Sequence, residues 1–217
     1  DAIEAIKKII RNFELLEKYN KLNQKSLVLM GLRKPSVSIH LLYERLKYRF
    51  FHKSTIIPTE MFFGKEMNLV LPEQVSEFLY YFRFFEYKLT KIVLECLKEG
   101  NIFVDIGAHF GYYSQLASEL VGNSGEIHSF EPIPSSYEIL KTNVKNSNQF
   151  TNNLACWSED VFLDFNDYGL EFAAYNSFSK PRLAKSTKNP IQKIKVKTTT
   201  LDNYFKNKAL PHFVKID

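Results

Sequence analysis

The segment Asp105-Ile106-Gly107-Ala108-His109-Phe110-Gly111 places an acid, two glycines and a histidine between an apolar run and a helical pattern. Glycine at 107 and 111 lets the backbone turn tightly and come close to a ligand. The helix start that follows offers free N–H groups and the positive end of a dipole, which favours an anionic group. The spacing is Asp-x-Gly-x-x-x-Gly, whereas a dinucleotide turn prefers Gly-x-Gly-x-x-Gly. A carboxylate before the first glycine opposes a pyrophosphate. It suits a ligand that carries an ammonium or a sulfonium.

A second acid, Glu131, ends the run Ile127-His128-Ser129-Phe130. At the tip of the next strand, an acid can accept hydrogen bonds from both hydroxyls of a ribose. Before Pro132 it can equally serve as a helix N-terminal acid. Two acids at neighbouring strand tips favour the ligand reading. S-adenosyl-L-methionine has a sulfonium, an ammonium, a ribose and a carboxylate, and is the cofactor expected here.

The elements that must position these residues are legible around them. Ile102 to Asp105 predicts a strand, Tyr112 to Val121 a helix, Glu126 to Phe130 a strand and Ser135 to Lys145 a helix. Leu154 to Trp157 predicts a third strand. Phe162 to Phe165 and Ile194 to Thr198 predict a hairpin or an added edge. Leu201 to Phe205 predicts a short helix and Phe213 to Ile216 a last strand. Alternating strands and helices of this length imply an α/β fold with a parallel sheet. Upstream, Ile3, Ile6, Ile10, Phe13 and Leu16 recur at helical spacing, which predicts a helix from residue 2 to about 29. A second helix is expected from Ser38 to Phe51, short strands around Gly64-Lys65 within 61–71, and one or two helices between Pro72 and Lys98. This divides the chain into an N-terminal helical appendage, 1–55, and a ligand-binding domain, 56–217. The appendage is expected to cap the domain or to pair with another chain as an oligomer. The last predicted strand stops at Asp217 and the chain opens at Asp1 rather than Met, so further sequence is expected on both sides.

Composition narrows the class. Hydrophobic residues at 45% and charged residues at 24% are ordinary for a globular protein. The 19 Phe and 12 Tyr predict an aromatic core. A net charge of +5 does not mark a nucleic-acid binder. Nine of the basic residues lie between Lys180 and Lys208 with one acid, Asp202. That run reads as a solvated face or as a contact for an acidic acceptor. Asn176-Ser177-Phe178 before it reads as a turn or as part of an acceptor pocket. Cys96 and Cys156 form no disulfide framework, and no apolar run approaches the ~20 residues of a membrane span. With no signal peptide visible, a cytoplasmic location is expected. The basic aromatic stretch Arg45 to Lys53 also permits a membrane-surface role.

Val104-Asp105-Ile106-Gly107-Ala108-His109-Phe110-Gly111-Tyr112-Tyr113, Phe130-Glu131-Pro132, Thr200-Leu201-Asp202 and Val214-Lys215-Ile216-Asp217 together resemble the ordered motifs of the FkbM-type methyltransferases. Phe85-Glu86 and Leu154-Ala155-Cys156-Trp157-Ser158 match the same pattern, although Cys156 and Trp157 depart from its usual form. The resemblance implies a doubly wound, Rossmann-like methyltransferase sheet, incomplete at the C-terminus. It also implies methyl transfer from S-adenosyl-L-methionine to a hydroxyl of a sugar or natural product, a small-molecule or glycan acceptor. By the same resemblance, Asp105, Gly107, Ala108 and Gly111 shape the methionine end of the pocket and Glu131 holds the ribose. Asn153 and Ala155 lie near the adenine, and Glu86 closes the pocket.

An alcohol acceptor benefits from a base. Asp217, at the tip of the strand beside the first one, is the leading candidate; its alternative role is to fix ligand or backbone geometry. His109 is the second candidate, with loop packing as its alternative. His40, His52, His128 and His212 show no metal-ligand spacing, and no metal is expected. Two rival classes are set aside. Tyr137-x-x-x-Lys141 suggests an NAD(P)-dependent oxidoreductase, but it falls too early in the chain. The 180–208 charge suggests a nucleic-acid methyltransferase or binding module, but no base-methylation motif accompanies it, so a nucleic-acid partner is not expected.

Overall fold

The computed structural model describes residues 2–21, 33–167, 169, 170, 173 and 192–217. The chain forms two units, Asp1–Glu95 and Cys96–Asp217.

In the first unit, helix α1 (Ala2–Lys21) turns Ile9 and Phe13, four residues apart, into the core. The Phe13 ring stacks on Tyr87 at 5.2 Å and meets Phe62 and Phe84 at 5.2 and 5.7 Å, an aromatic cluster of the kind the composition predicts. The expected helix extends to about residue 29; residues 22–32 lie outside the described residues. Helix α2 (Pro35–Phe51) starts earlier than Ser38, with proline in its first turn, where a missing N–H costs nothing. Strands β1 (Thr55–Glu60) and β2 (Glu66–Leu71) pair antiparallel from Thr55↔Leu71 to Glu60↔Glu66. The first strand of this hairpin lies before Met61 rather than after it. Met61, Phe62 and Phe63 are all buried in the connection, so their apolar character marks a packed turn and not a strand. Helices α3 (Gln74–Phe82) and α4 (Tyr87–Cys96) follow. The buried Glu73 carboxylate caps α3 by accepting from the Val75 and Ser76 backbone N–H groups, at 3.0 and 2.6 Å. This unit runs past residue 55 to Glu95, because α2 packs on β2 and α3.

The second unit holds the expected turn. Its elements are β3 (Ile102–Ile106), α5 (Tyr112–Val121), β4 (Glu126–Phe130), α6 (Pro134–Asn143), β5 (Gln149–Asn152), β6 (Ala155–Cys156), β7 (Phe162–Asp167), β8 (Gln192–Thr199), α7 (Leu201–Phe205) and β9 (Phe213–Ile216). Strands β5-β4-β3-β9 form a parallel sheet in that order. A second sheet, β6-β8-β7, carries the expected hairpin as β7 against β8. The third parallel strand is Gln149–Asn152, not Leu154–Trp157. As an edge strand with no fully buried residue, β5 needs no apolar run. The apolar character of Leu154, Ala155 and Cys156 instead serves two clusters, one around Phe130 and Phe205 and one around Ile133 and Val196.

The chain passes from β3 through β4 to β5 on one side, then returns to place β9 on the other side of β3. The order therefore reverses beside β3, and ligands of open α/β sheets bind at the carboxyl ends of the strands at such a point. Register places Lys215, Asp105, Ser129 and Thr151 in one row across β9, β3, β4 and β5. Paired residues of parallel strands share a face. Helix α5 covers this face, and α7 covers the opposite one through Tyr204 and Phe205.

Candidate active site at the first strand–helix turn

Gly107 follows β3 with φ +72, and Gly111 begins α5 with φ +89, a left-handed conformation that costs a side-chain-bearing residue energy. Their close approaches differ. A Cβ at Gly107 would lie 3.1 Å from Asp217 Cβ, so this glycine brings the turn against the tip of β9. A Cβ at Gly111 would lie 2.7 Å from Leu140 Cδ1 and 2.9 Å from Val144 Cγ2, so this one seats α6. The Gly107 and Ala108 N–H groups both donate to the Phe130 carbonyl, tying the turn to the tip of β4. The Ala108 side chain packs with Leu140 and Val144.

Asp105 is fully buried. Its Oδ2 accepts from Ser114 Oγ at 2.7 Å, and Ser114 Oγ also shares a hydrogen bond with Ser129 Oγ at 2.7 Å. Its Oδ1 lies 3.1 Å from Lys215 Nζ. The lysine also donates to the Gly107 carbonyl at 3.1 Å and to Asp217 Oδ2 at 3.3 Å, and it sits over the Tyr113 ring. Burial disfavours the charged lysine, but Asp105 and Asp217 outweigh it and hold its pKa above the ordinary value. Its place before the first glycine predicts that Asp105 faces a cationic ligand. In the structure a protein cation already balances it. The carboxylate exposed at the mouth of the turn is that of Asp217.

Lys215 and Ser114 were missed as site residues. The available signal was a lysine inside the short apolar strand Phe213-Val214-Lys215-Ile216, since a buried cation requires a partner acid.

Glu131 is buried at the tip of β4. Its Oε2 accepts from the His109 N–H at 2.9 Å and its Oε1 from the Ile133 N–H at 3.0 Å. Desolvation raises its pKa to about 7; those two hydrogen bonds oppose the rise and the nearby Asp105 adds to it. Glu131 therefore holds the turn directly, and Asp105 holds it through Lys215, which donates to the Gly107 carbonyl. His109 has φ +53, and its ring packs on Phe110 at 3.8 Å between centroids. Desolvation, with Lys215 adding to it, depresses its pKa to about 3, so the imidazole is neutral and a weak base near neutral pH.

Asn153 is exposed and its amide donates to the Glu131 and Pro132 carbonyls at 2.8 and 3.0 Å, bracing the tip of β4. The Ala155 side chain is buried against Ile133, Phe165 and Val196. Glu86 belongs to the first unit, where its carbonyl accepts from the Thr90 N–H at 2.9 Å at the start of α4. The Tyr137 hydroxyl donates to the Thr151 carbonyl at 3.2 Å and Lys141 pairs with Glu138 at 2.8 Å, which are structural roles for the pair that suggested an oxidoreductase. Asn176, Ser177 and Phe178 and the first part of the basic run lie outside the described residues.

Residues 105–217, which contain the turn, Glu131 and the Lys215–Asp217 strand tip, match the methyltransferase FkbM domain. The chain belongs to the FkbM methyltransferase family. Solved structures similar to the chain include three methyltransferases. With an S-adenosylmethionine-dependent O-methyltransferase from Thermotoga maritima it shares 18% identity and a TM-score of 0.32, over 52% of this chain and 46% of that one. With an S-adenosylmethionine-dependent methyltransferase from Aquifex aeolicus the values are 21%, 0.27, 34% and 39%. With a protein-L-isoaspartate O-methyltransferase they are 18%, 0.31, 66% and 41%. The chain thus spans less than half the length of each. No curated protein matches it in sequence.

Proposed function

We propose that this protein binds S-adenosyl-L-methionine at the turn after β3 and methylates a hydroxyl group of a sugar or small natural product. The observation that carries the reading is the meeting of Glu131 with the backbone of the turn that begins at Asp105, at the reversal of strand order. The residues present suit this cofactor. Glu131 retains acceptor capacity for ribose hydroxyls beside its two backbone hydrogen bonds. Asp217 presents an open carboxylate toward a positively charged centre, and Asp105 and Lys215 hold the strand tips around the turn.

The cofactor supplies a methyl group already activated on a sulfonium. The protein's share is alignment and proton removal. The Asp217 carboxylate, which Lys215 positions from 3.3 Å, would accept the proton of the acceptor hydroxyl. His109 shapes the turn rather than moving a proton. Asn153 supports the cofactor site by bracing the tip of β4.

Isothermal titration of S-adenosyl-L-methionine into the chain and into Glu131→Ala tests the reading. Loss of the carboxylate is expected to weaken binding by more than about tenfold, the scale of one charge-assisted hydrogen bond. Unchanged affinity in a folded Glu131→Ala protein would overturn the assignment.

A further inference from the structure

Helix α2 buries its one acid, Glu44, and exposes a row of large apolar side chains, while Val37, Leu41 and Tyr48 are half-buried. Glu44 is 3% exposed, accepts from Thr55 Oγ1 and pairs with Lys47 Nζ at 3.3 Å. His40 Nδ1 shares a hydrogen bond with the Tyr80 hydroxyl at 2.8 Å. On the other side, Ile39, Leu42, Tyr43, Leu46 and Phe50 recur at the i, i+3, i+4, i+7 and i+11 positions of a single stripe. They are 67%, 56%, 58%, 46% and 71% exposed, and Phe51 beside them is 70% exposed. Scattered surface hydrophobes need no account, but a continuous stripe on one helix face does.

Arg45, Arg49 and Lys53 are exposed around the C-terminal half of this stripe, and the helix's single acid, Glu44, is the one turned inward. Arg45 is held at the margin of the stripe by a two-pronged pair with Glu77 at 2.6 and 2.5 Å, which compensates its charge and leaves contact with anions to Arg49 and Lys53.

We propose that the outward face of α2 rests on an anionic lipid surface. Aliphatic and aromatic side chains enter the boundary between headgroups and acyl chains, and Arg49 and Lys53 meet lipid phosphates. A second copy fits this face less well, because a two-fold contact sets the same residues against themselves and brings the Arg49 and Lys53 cations of the two copies together. The 17-residue helix, about 25 Å long, lies along such a surface rather than across it. Among the described residues no helix is long and apolar enough to cross a membrane.

The test is flotation of the full chain with vesicles of phosphatidylcholine alone and of phosphatidylcholine with about one-third phosphatidylglycerol. Partitioning to the anionic vesicles is expected to exceed that to the neutral ones by about tenfold or more and to fall with added salt. Leu46→Ser with Phe50→Ser, and separately Arg49→Glu with Lys53→Glu, are each expected to lower it by more than about tenfold without shifting the melting temperature, since these side chains are exposed. Equal partitioning to both vesicle types overturns the proposal, as does wild-type-like binding by folded variants. A dimer in solution that the Leu46/Phe50 variant dissociates, with no vesicle binding by the parent chain, assigns the face to a second copy instead.

Discussion

The two faces of the central parallel sheet both bury polar groups, and they do it differently. On the face under α5, the row Lys215–Asp105–Ser129 carries a full ion pair with Ser114 closing it. On the face under α7, His128 Nδ1 shares a hydrogen bond with the Tyr204 hydroxyl at 2.9 Å and His128 Nε2 with Glu126 at 3.0 Å, while Asn152 donates to the same hydroxyl at 3.2 Å. The His128 ring also stacks on Phe150 at 4.9 Å and meets Phe205 edge-on. Burial holds its pKa below the ordinary value although Glu126 pulls upward. The second network is closed by aromatic rings and holds the helix in place. The first opens through Lys215 onto Asp217 and the glycine turn. Charge that is costly to bury sits beside the glycine turn and the open Asp217 carboxylate, and a packed hydrogen-bond network lies where the sheet meets a covering helix.

The sharpest way to break this contrast is to remove one charge from the first network. Lys215→Met leaves the Asp105 carboxylate buried without its cation. It is expected to cost about 3–5 kcal/mol in urea denaturation, the scale for breaking a buried pair from one side. Tyr204→Phe removes the hydroxyl shared by His128 and Asn152. It is expected to cost about 1–3 kcal/mol by the same measurement, the scale for an unsatisfied buried partner. If the two substitutions cost the same, the distinction between the faces does not hold.

The smallest effect lies in the pH dependence of stability. A carboxyl whose folded pKa is raised binds its proton more tightly when folded, so stability falls as pH rises from the unfolded value toward the folded one. For Glu131 that interval runs from 4.5 to about 7, and for Glu73 from 4.5 to about 6. Between pH 6 and 7 Glu131 therefore carries most of the decline, at most about 1.4 kcal/mol per pH unit. His109 and His128, whose folded pKa values are lowered, act with the opposite sign up to 6.5. The test is therefore the difference between the two proteins: Glu131→Gln is expected to remove a falling component of at most about 1.4 kcal/mol per pH unit between pH 6 and 7. An unchanged slope between pH 6 and 7 would mean that Glu131 is not buried as a proton-holding acid.

Around the turn, much was legible because local chemistry dictates local structure. Gly107 and Gly111 mark a strand-to-helix turn, and Tyr112–Val121, Glu126–Phe130, Leu201–Phe205 and Phe213–Ile216 form where their patterns predict them. The acids Asp105 and Glu131 were recognisable by their positions at predicted strand tips. The less legible elements have physical reasons. Strand β5 sits at a sheet edge and carries no buried apolar run, and Met61–Phe63 are apolar because a turn is packed, so neither follows the usual periodicity.

The sequence alone determined a glycine turn between a strand and a helix, with an acid on each of two neighbouring strand tips. Tertiary structure decided what those acids face. Strand β9 comes from the far end of the chain and pairs beside β3 in the register Asp105↔Lys215, which sets a lysine against the buried acid and leaves Asp217 at the mouth of the turn. Periodicity reports which residues are buried within an element. Which charge meets which across a parallel sheet depends on strand order and register, and these arise only when the whole sheet assembles.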